Sequence, residues 1–191
     1  MIETRKIVQF LKSGKIGVMP TDTIYGIVGS AQNPETVERI YTLRKRNVNK
    51  PMIILISSLK DLKKFNIELT EKQNDFLKKI WPNPVSVILP CKDEKFKYLH
   101  RGKGSLALRM PKDNKLHELL KQTGPLVAPS ANFEGDEPSQ NILQAKKYFE
   151  ERVAFYVDGG EIKSKPSTIL ELKDSGSFIL LRQGSFRLPK E

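Results

Sequence analysis

The sequence predicts an α/β fold in which helices pack on a twisted, mixed β-sheet. Along its 191 residues, apolar periodicity switches repeatedly between the two-residue repeat of strands and the 3.6-residue repeat of helices. No internal repeat, low-complexity stretch or Pro/Gly/Ser-rich linker interrupts this alternation. We therefore expect one domain over residues 1–191, with a strand order that the pattern alone does not define.

The first elements place a polar loop directly after a buried strand. Residues 2–12 predict an amphipathic helix, and Ile16–Met19 predict a buried strand that ends at a proline. The hydroxyl-rich segment Pro20–Gly26 follows. Ligands in open α/β sheets bind outside the carboxyl ends of strands, so this loop is a favoured place for chemistry. If the loop is extended, Thr21 and Thr23 point to one side; a local turn that only ends the strand is the alternative.

A cationic cluster follows the second predicted helix. Asn33–Glu35 combines an N-cap, a proline at the first helical position and an early acid, and predicts a helix through Leu43. Arg44–Arg46 and Lys50 come next. Arginine binds phosphate oxygens with a planar fork and lysine acts as a point charge, so the mixture suits a triphosphate. Favourable placement of cations at a helix C-terminus explains part of the cluster without any ligand.

The remainder of the chain continues the alternation. The predicted helices are Leu59–Phe65, Thr70–Ile80, Asn114–Gln122 and residues 141–150, and the predicted strands are Met52–Ile56, Val85–Leu89, Ser105–Met110, Leu126–Ala128, Val153–Val157, Thr168–Leu172 and Phe178–Arg182. A capping box opens the helix at Thr70. The strand Leu126–Ala128 runs into the polar turn Pro129–Asn132, so a second polar turn follows a strand end.

Composition limits the class of protein. The 33 Lys and Arg against 22 Asp and Glu give a net charge of +11, which attracts polyanions such as nucleotides or RNA. Lysine-rich faces that merely keep a protein in solution explain many individual lysines equally well. No apolar run approaches the roughly 20 residues of a membrane helix. With one cysteine, Cys91, and no secretory signal, the expected location is the reducing cytoplasm.

Two arginines stand beside predicted buried strands. Arg109 and Arg182 each follow apolar residues, and a charge in that setting needs a partner or a ligand. An edge-strand arginine that reaches solvent is the alternative. His100 and His117 lack metal-ligand spacing, and the sequence shows no nucleophile elbow and no Cys/His arrangement for covalent catalysis. A reaction driven by positioning and charge is the chemistry that these residues favour.

A set of short motifs resembles the YrdC/TsaC family of L-threonylcarbamoyladenylate synthases. Each motif is short, but they occur in family order from about residue 7 to 186. The matching segments are Pro20–Gly26, Arg44–Pro51, Trp81–Pro84, Ala107–Pro111, Pro129–Asn132, Pro138–Ser139, Asp158–Gly160, Ser167–Ile169 and Leu181–Gly184. The chain ends soon after Arg182, and in this respect it resembles the short, single-domain bacterial type of the family.

The resemblance implies a YrdC-like domain with a concave, positively charged face. It implies condensation of L-threonine, bicarbonate or CO2 and ATP to L-threonylcarbamoyladenylate and pyrophosphate, with Mg2+ accompanying the triphosphate. A downstream threonylcarbamoyl transferase complex would then modify adenosine 37 of tRNAs that read codons starting with A. Binding of tRNA is a further expectation, and no membrane association is expected.

The resemblance also implies the residues of the site. Arg46 and Lys50 would be catalytic. The residues expected to contact L-threonine are Thr23, Leu55, Arg109, Ala128 and Ser167. Those expected to bind ATP are Arg44, Arg46, Lys50, Ser105, Ser130, Asn132, Ser139 and Arg182. No residue is expected to ligate a metal directly. Arg44 departs from the family, which usually has lysine there, and the loop from Ser130 to Ser139 is one residue longer than expected.

Two other functions stay open at this point. A non-enzymatic module could dock double-stranded RNA or tRNA through phosphate contacts alone. A YrdC-like paralogue with a different carbamate substrate is the second alternative, and Arg44 is the residue that favours it.

Overall fold

A computed structural model describes residues 3–188. The α-helices are α1 (Thr4–Lys12), α2 (Pro34–Leu43), α3 (Glu71–Ile80), α4 (Lys97–His100), α5 (Asn114–Thr123) and α6 (Ile142–Phe149), with short 3₁₀-helices at Leu59–Phe65, Glu94–Phe96 and Glu150–Arg152. The strands are β1 (Gly17–Pro20), β2 (Tyr25–Ser30), β3 (Ile53–Leu55), β4 (Val85–Pro90), β5 (Ser105–Arg109), β6 (Leu126–Val127), β7 (Phe155–Tyr156), β8 (Thr168–Leu172) and β9 (Phe178–Arg182).

All of these strands join one mixed sheet, in the order β7-β1-β2-β6-β3-β5-β4-β8-β9. β1 pairs with β2, and β4 with β5, in antiparallel fashion. β3 pairs with β5, and β4 with β8, in parallel. The predicted α/β class with a mixed sheet is therefore confirmed. The strand order, which the sequence pattern did not define, brings Thr23 after β1 into one region with Ile53 of β3, Ser105 of β5 and Ile169 of β8.

The sheet separates two apolar cores, because successive residues of a strand point to opposite faces. In β3, Ile54 joins the larger core beneath α2, α3 and α6, whereas Leu55 joins a smaller core beneath α1 and α5. The smaller core includes residues of β1, β2, β3, β6 and β7, but its described members include none from β4, β5, β8 or β9. That half of the second face is therefore available for a cavity.

The helix-capping residues predicted from the sequence form the expected hydrogen bonds in the structure. Oδ1 of Asn33 accepts from the N–H of Thr36 (3.0 Å), as expected for an N-cap before Pro34. At the start of α3, Thr70 Oγ1 accepts from the N–H of Gln73 (3.2 Å), and the Gln73 side chain accepts from the N–H of Thr70 (3.0 Å). These contacts satisfy backbone donors that the first turn of a helix leaves free. They form wherever the local sequence supplies a suitable capping side chain.

Some elements differ from the expectation. β2 was not predicted, because Gly26 and Gly29 weaken its strand pattern. A Cβ on Gly29 would lie 2.4 Å from the methyl group of Thr36, so glycine allows α2 to pack closely on the sheet. Leu59–Phe65 is a 3₁₀-helix, and the predicted strand at Val153–Val157 is reduced to the two residues of β7. Residue 2, the predicted start of the first helix, lies outside the described residues.

Two findings bear on the compositional expectations. Within residues 3–188, the helices are all too short or too polar to cross a membrane. Cys91 is a free, buried thiol that donates a hydrogen bond to the carbonyl of Phe65 (3.4 Å). Burial raises the pKa of this thiol, so it remains protonated and acts as a core residue.

Candidate functional site

A cavity of about 660 Å³ lies on the sheet face that α1 and α5 leave uncovered. Strand alternation builds its floor: in β5, Leu106 and Leu108 belong to the core, whereas Ser105, Ala107 and Arg109 line the cavity. β4 and β8 contribute lining residues by the same alternation. The volume falls within the usual range of small-molecule sites.

The lining of the cavity is strongly cationic. Among the described residues it carries five cationic side chains against one carboxylate, that of Glu171. The cations are Arg44, Arg46, Lys103, Arg109 and Arg182. Glu171 also pairs with Lys173, which offsets its charge. An anionic ligand is the species that such a lining favours.

The hydroxyl-rich loop after β1 contributes Thr21 and Thr23 to the cavity. Thr21 Oγ1 donates to the carbonyl of Ile24 (2.7 Å) and lies 3.2 Å from Thr23 Oγ1. The loop is therefore a Thr-stabilised turn that ends the strand. The turn also brings both threonines to the cavity. The segment therefore both ends the strand and contributes to the cavity lining.

Arg109 forms a buried ion pair with Asp22. Its Nη2 lies 3.0 Å from Oδ1 of Asp22, and the two side chains are 4% and 5% exposed. Arg109 Nε and both carboxylate oxygens lack a partner in hydrogen-bonding geometry among the described protein groups. Burial raises the pKa of Asp22, and the charge of Arg109 opposes that rise. Sequence reasoning missed Asp22 as the partner, since nothing local connects the two positions.

Ser167 and Arg182 form one hydrogen-bonded unit beside the cavity. The guanidinium of Arg182 donates to the carbonyl of Ser167 through Nη2 (2.8 Å) and Nε (3.2 Å). The hydroxyl of Ser167 lies 2.9 Å from that of Ser86, which is fully buried in β4. Ser86 was not among the predicted site residues. Its hydroxyl restrains that of Ser167, a buried residue that lines the cavity.

Gly184 is essential to the position of Ser167. A Cβ at this residue would lie 2.2 Å from the carbonyl oxygen of Pro166 and 2.4 Å from the carbonyl carbon of Ser167. We predict that Gly184→Ala lowers the free energy of unfolding by about 3 kcal/mol, because backbone atoms must shift. Gly160→Ala is the control: its Cβ meets nothing within 4 Å, and the positive φ alone costs about 1 kcal/mol. Equal losses in urea unfolding would contradict the close packing.

Arg44 ends α2 and holds the polar turn after β6. Its Nε donates to the carbonyl of Asn132 (3.1 Å), and its Nη2 lies within hydrogen-bond distance of Ser130 Oγ (3.1 Å) and Asn132 Oδ1 (3.2 Å). Burial, followed by the nearby charge of Arg46, lowers the pKa of Arg44 to about 10. The planar guanidinium makes several contacts at once, which the single ammonium of lysine could not reproduce in this geometry.

Glu134, in the loop from Ser130 to Ser139, contacts the cationic segment that includes Lys50. Lys50 Nζ lies 2.6 Å from Oε1 of Glu134, and the Lys50 side chain is 60% exposed. The other oxygen of Glu134 accepts from the N–H of Asn47. These two partners, the Asn47 N–H first, lower the pKa of Glu134. Arg46 donates to the carbonyls of Lys50 (3.1 Å) and Pro51 (3.0 Å) while lining the cavity.

The structure brings most of the predicted site residues together. Those that line the cavity are Thr23, Arg44, Arg46, Ser105, Arg109, Ala128, Ser130, Ser167 and Arg182. Leu55, Lys50, Asn132 and Ser139 do not line it. Leu55 points into the core under α1 and α5, and Ser139 is buried with its hydroxyl donating to the carbonyl of Ala131.

Several lining residues were not predicted, among them Ile88, Lys103, Ala107 and Ile169. Strand alternation could have found the three apolar ones, since each stands between two buried residues of its strand. Lys103 lies in the turn before β5, and no local pattern distinguishes it from other lysines.

Comparison with known proteins gives a consistent result. Residues 9–184 match the sequence model of the Sua5/YciO/YrdC family, which carries the description "Telomere recombination". A Pyrococcus abyssi protein named threonylcarbamoyl-AMP synthase is 31% identical over 183 residues, which cover 94% of this chain and 53% of that protein. A Methanocaldococcus jannaschii protein named putative threonylcarbamoyl-AMP synthase is 30% identical, covering 98% of this chain and 90% of its own length.

Solved structures share the fold. P. abyssi Sua5 complexed with L-threonine has a TM-score of 0.86 at 29% identity, covering 96% of this chain and 55% of that chain. Escherichia coli YciO has a TM-score of 0.82 at 22% identity, covering 96% of this chain and 91% of that chain. The chain spans about half the length of the P. abyssi protein. Since the family match and the fold both extend over nearly all of the chain, this protein belongs to the Sua5/YciO/YrdC family.

Proposed function

We propose that this chain is a nucleotidyltransferase that forms threonylcarbamoyl-AMP and pyrophosphate from L-threonine, bicarbonate or CO2 and ATP. The observation that carries the proposal is one cavity lined by hydroxyls and cations, with Thr23, Arg109 and Ser167 beside Arg46 and Arg182. The names of the P. abyssi and M. jannaschii relatives support the same reaction.

In this proposal the amino acid binds at Arg109. The buried Nε of Arg109 has no hydrogen-bond partner within residues 3–188, and the guanidinium suits a carboxylate because arginine presents several N–H donors in one plane. The hydroxyls of Thr23 and Ser167 can accept from the amine or donate to an oxygen. Ala128 lines the same cavity, and Leu55 pairs in register with Arg109 across β3 and β5, so its backbone supports the floor.

ATP occupies the remainder of the cavity. Arg46 and Arg182 would contact phosphate oxygens, and Ser105 and Ser130 offer hydroxyls. Arg44 and Asn132 would act by holding Ser130, and Ser139 by fixing the same turn through the Ala131 carbonyl. Lys50 would leave Glu134 and turn to the triphosphate.

We propose that Mg2+ arrives with the triphosphate, whose oxygens and bound water supply most of its ligands. Residues 3–188 contain no cluster of three His, Cys, Asp or Glu side chains suited to a metal ion. Arg46 and Lys50 would then share the neutralisation of the phosphates with the ion.

The reaction would proceed by positioning and charge. The neutral amine of threonine attacks CO2 and loses a proton to solvent, giving a carbamate, and a carbamate oxygen attacks the α-phosphorus of ATP. The bond from the α-phosphorus to the bridging oxygen breaks, and pyrophosphate leaves with the electron pair. Arg46 and Lys50 would stabilise the charge on the departing group, and no covalent protein intermediate is needed.

We further propose that the product supplies a downstream transferase complex that forms N6-threonylcarbamoyladenosine at position 37 of tRNAs reading codons that start with A. The net charge of +11 supports an encounter with tRNA.

The deciding experiment incubates the purified chain with ATP, bicarbonate and single amino acids, and measures pyrophosphate release together with the AMP adduct by mass spectrometry. We expect both to depend on threonine. Pyrophosphate release that is indifferent to threonine would refute the proposal. An adduct with another amino acid would favour the paralogue, and salt-sensitive RNA binding without ATP binding would favour the binding module.

The pairing of Lys50 with Glu134 leads to a prediction about ATP. We expect Glu134→Gln to lower the KM for ATP about two- to fivefold, because an exposed ion pair is worth at most about 1 kcal/mol and its loss frees Lys50. Glu118→Gln, which breaks an exposed pair with Lys121, is the matched control and should leave this KM unchanged. A higher KM in Glu134→Gln would mean that Glu134 helps to bind the nucleotide or its metal.

A further inference from the structure

We propose that Asp22 is the positioning residue of the amino-acid site: its buried carboxylate orients Arg109 so that the guanidinium can receive the carboxylate of the substrate. The inference rests on the proposed function and adds a residue to it. Asp22 itself would not touch the substrate.

The geometry separates Asp22 from the cavity that it serves. Its neighbours Thr21 and Thr23 both line the cavity, whereas Asp22 does not. The carboxylate instead lies 3.0 Å from Nη2 of Arg109, with only 5% of the side chain exposed. Asp22 therefore contacts the guanidinium from outside the cavity, while Arg109 lines it.

The charges around Arg109 explain why it needs this partner. Its guanidinium is buried, and Arg182 adds a like charge nearby; both disfavour the charged form, and Asp22 opposes them. Removing one member of a buried ion pair leaves the other uncompensated. Asp22 thus supplies the counter-charge of Arg109 and contacts its guanidinium at Nη2, while Nε has no hydrogen-bond partner among the described residues.

A purely neutralising role makes the opposite prediction. If Asp22 only balanced charge, its removal would leave a stronger positive field at Arg109 and would improve binding of a carboxylate. If Asp22 orients the guanidinium, its removal lets the fork turn away and weakens binding. The direction of the change in the KM for threonine therefore distinguishes the two roles.

The test uses Asp22→Asn, which keeps the shape and removes the charge. We expect the KM for L-threonine to rise about ten- to a hundredfold, because a small misplacement of a group that positions the substrate can cost about a hundredfold. The kcat and the KM for ATP should change less than about threefold, because Asp22 touches neither substrate. Asp22→Glu restores the carboxylate and should return the KM for threonine to within about fivefold of the wild type.

Asp61→Asn is the matched control. Asp61 is another buried aspartate, whose Oδ2 accepts from the N–H groups of Ser57 (2.9 Å) and Ser58 (3.1 Å), and it does not line the cavity. We expect this variant to lose stability while its KM for threonine stays at the wild-type value. An unchanged or lower KM in folded Asp22→Asn would overturn the inference.

If Asp22→Asn does not fold, Arg109→Gln and the double variant Asp22→Asn/Arg109→Gln replace it. Positioning through Arg109 predicts that the double variant binds threonine as weakly as Arg109→Gln alone, measured by calorimetry without turnover. Weaker binding of threonine by the double variant than by Arg109→Gln alone would overturn the inference. A wild-type chain that binds threonine but releases no threonine-dependent pyrophosphate would instead refute the proposed function, and calorimetry would still decide the role of Asp22.

Discussion

Replacing Arg109 with glutamine is expected to lower the kcat/KM for threonine about a thousandfold, since loss of one partner in a desolvated charge pair costs roughly 2–5 kcal/mol or more. Glutamine keeps a polar amide in the cavity but removes the charge and the planar fork. It also leaves the carboxylate of Asp22, 3.0 Å away in the native protein, without its counter-ion. Initial rates of pyrophosphate release across a range of threonine concentrations measure the effect.

Arg101→Gln is the control for that change. Arg101 is also mostly buried and also pairs with a carboxylate, with its Nη2 2.7 Å from Glu38 and its guanidinium packed over Tyr41. Arg101 does not line the cavity, so its loss should affect stability and change kcat/KM less than about threefold. An Arg109→Gln enzyme that keeps more than about a tenth of the activity would show that the carboxylate binds elsewhere.

Replacing Lys50 with alanine is expected to lower the kcat/KM for ATP at least about a hundredfold, the scale of losing one group that stabilises transition-state charge. Although Lys50 lies outside the cavity lining, its side chain is 60% exposed and its pair with Glu134 is weak, so it can move to a bound triphosphate. Arg46→Ala should produce a comparable loss, because Arg46 already lines the cavity.

Lys45→Gln is the matched control within the same cationic cluster. Its ammonium lies 4.4 Å from the centre of the Phe133 ring, and the residue does not line the cavity. We expect its activity to stay within about threefold of the wild type, measured by the same pyrophosphate assay. Turnover retained in both Lys50→Ala and Arg46→Ala would place the triphosphate site elsewhere.

Much of the fold and of the cavity follows from local patterns. Caps at Asn33 and Thr70 form because a side chain satisfies backbone donors only a few residues away. Alternation in β5 predicts a strand, and the structure places Ser105 and Arg109 of that strand on the cavity side. β2 escaped prediction because Gly26 and Gly29 weaken its strand pattern, and the reason for Gly29 is its close packing against Thr36 of α2, which no local pattern reveals.

Sequence patterns suffice to predict the α/β class, most strand and helix positions, and the candidate residues at strand ends, since these depend on periodicity and on short polar segments. Which of these residues share a cavity, and which residues support them, is visible only in the folded protein. Asp22 behind Arg109, Ser86 behind Ser167 and Glu134 on Lys50 are contacts between segments far apart in the chain. Such contacts depend on strand order and register. A local sequence pattern carries no information about either.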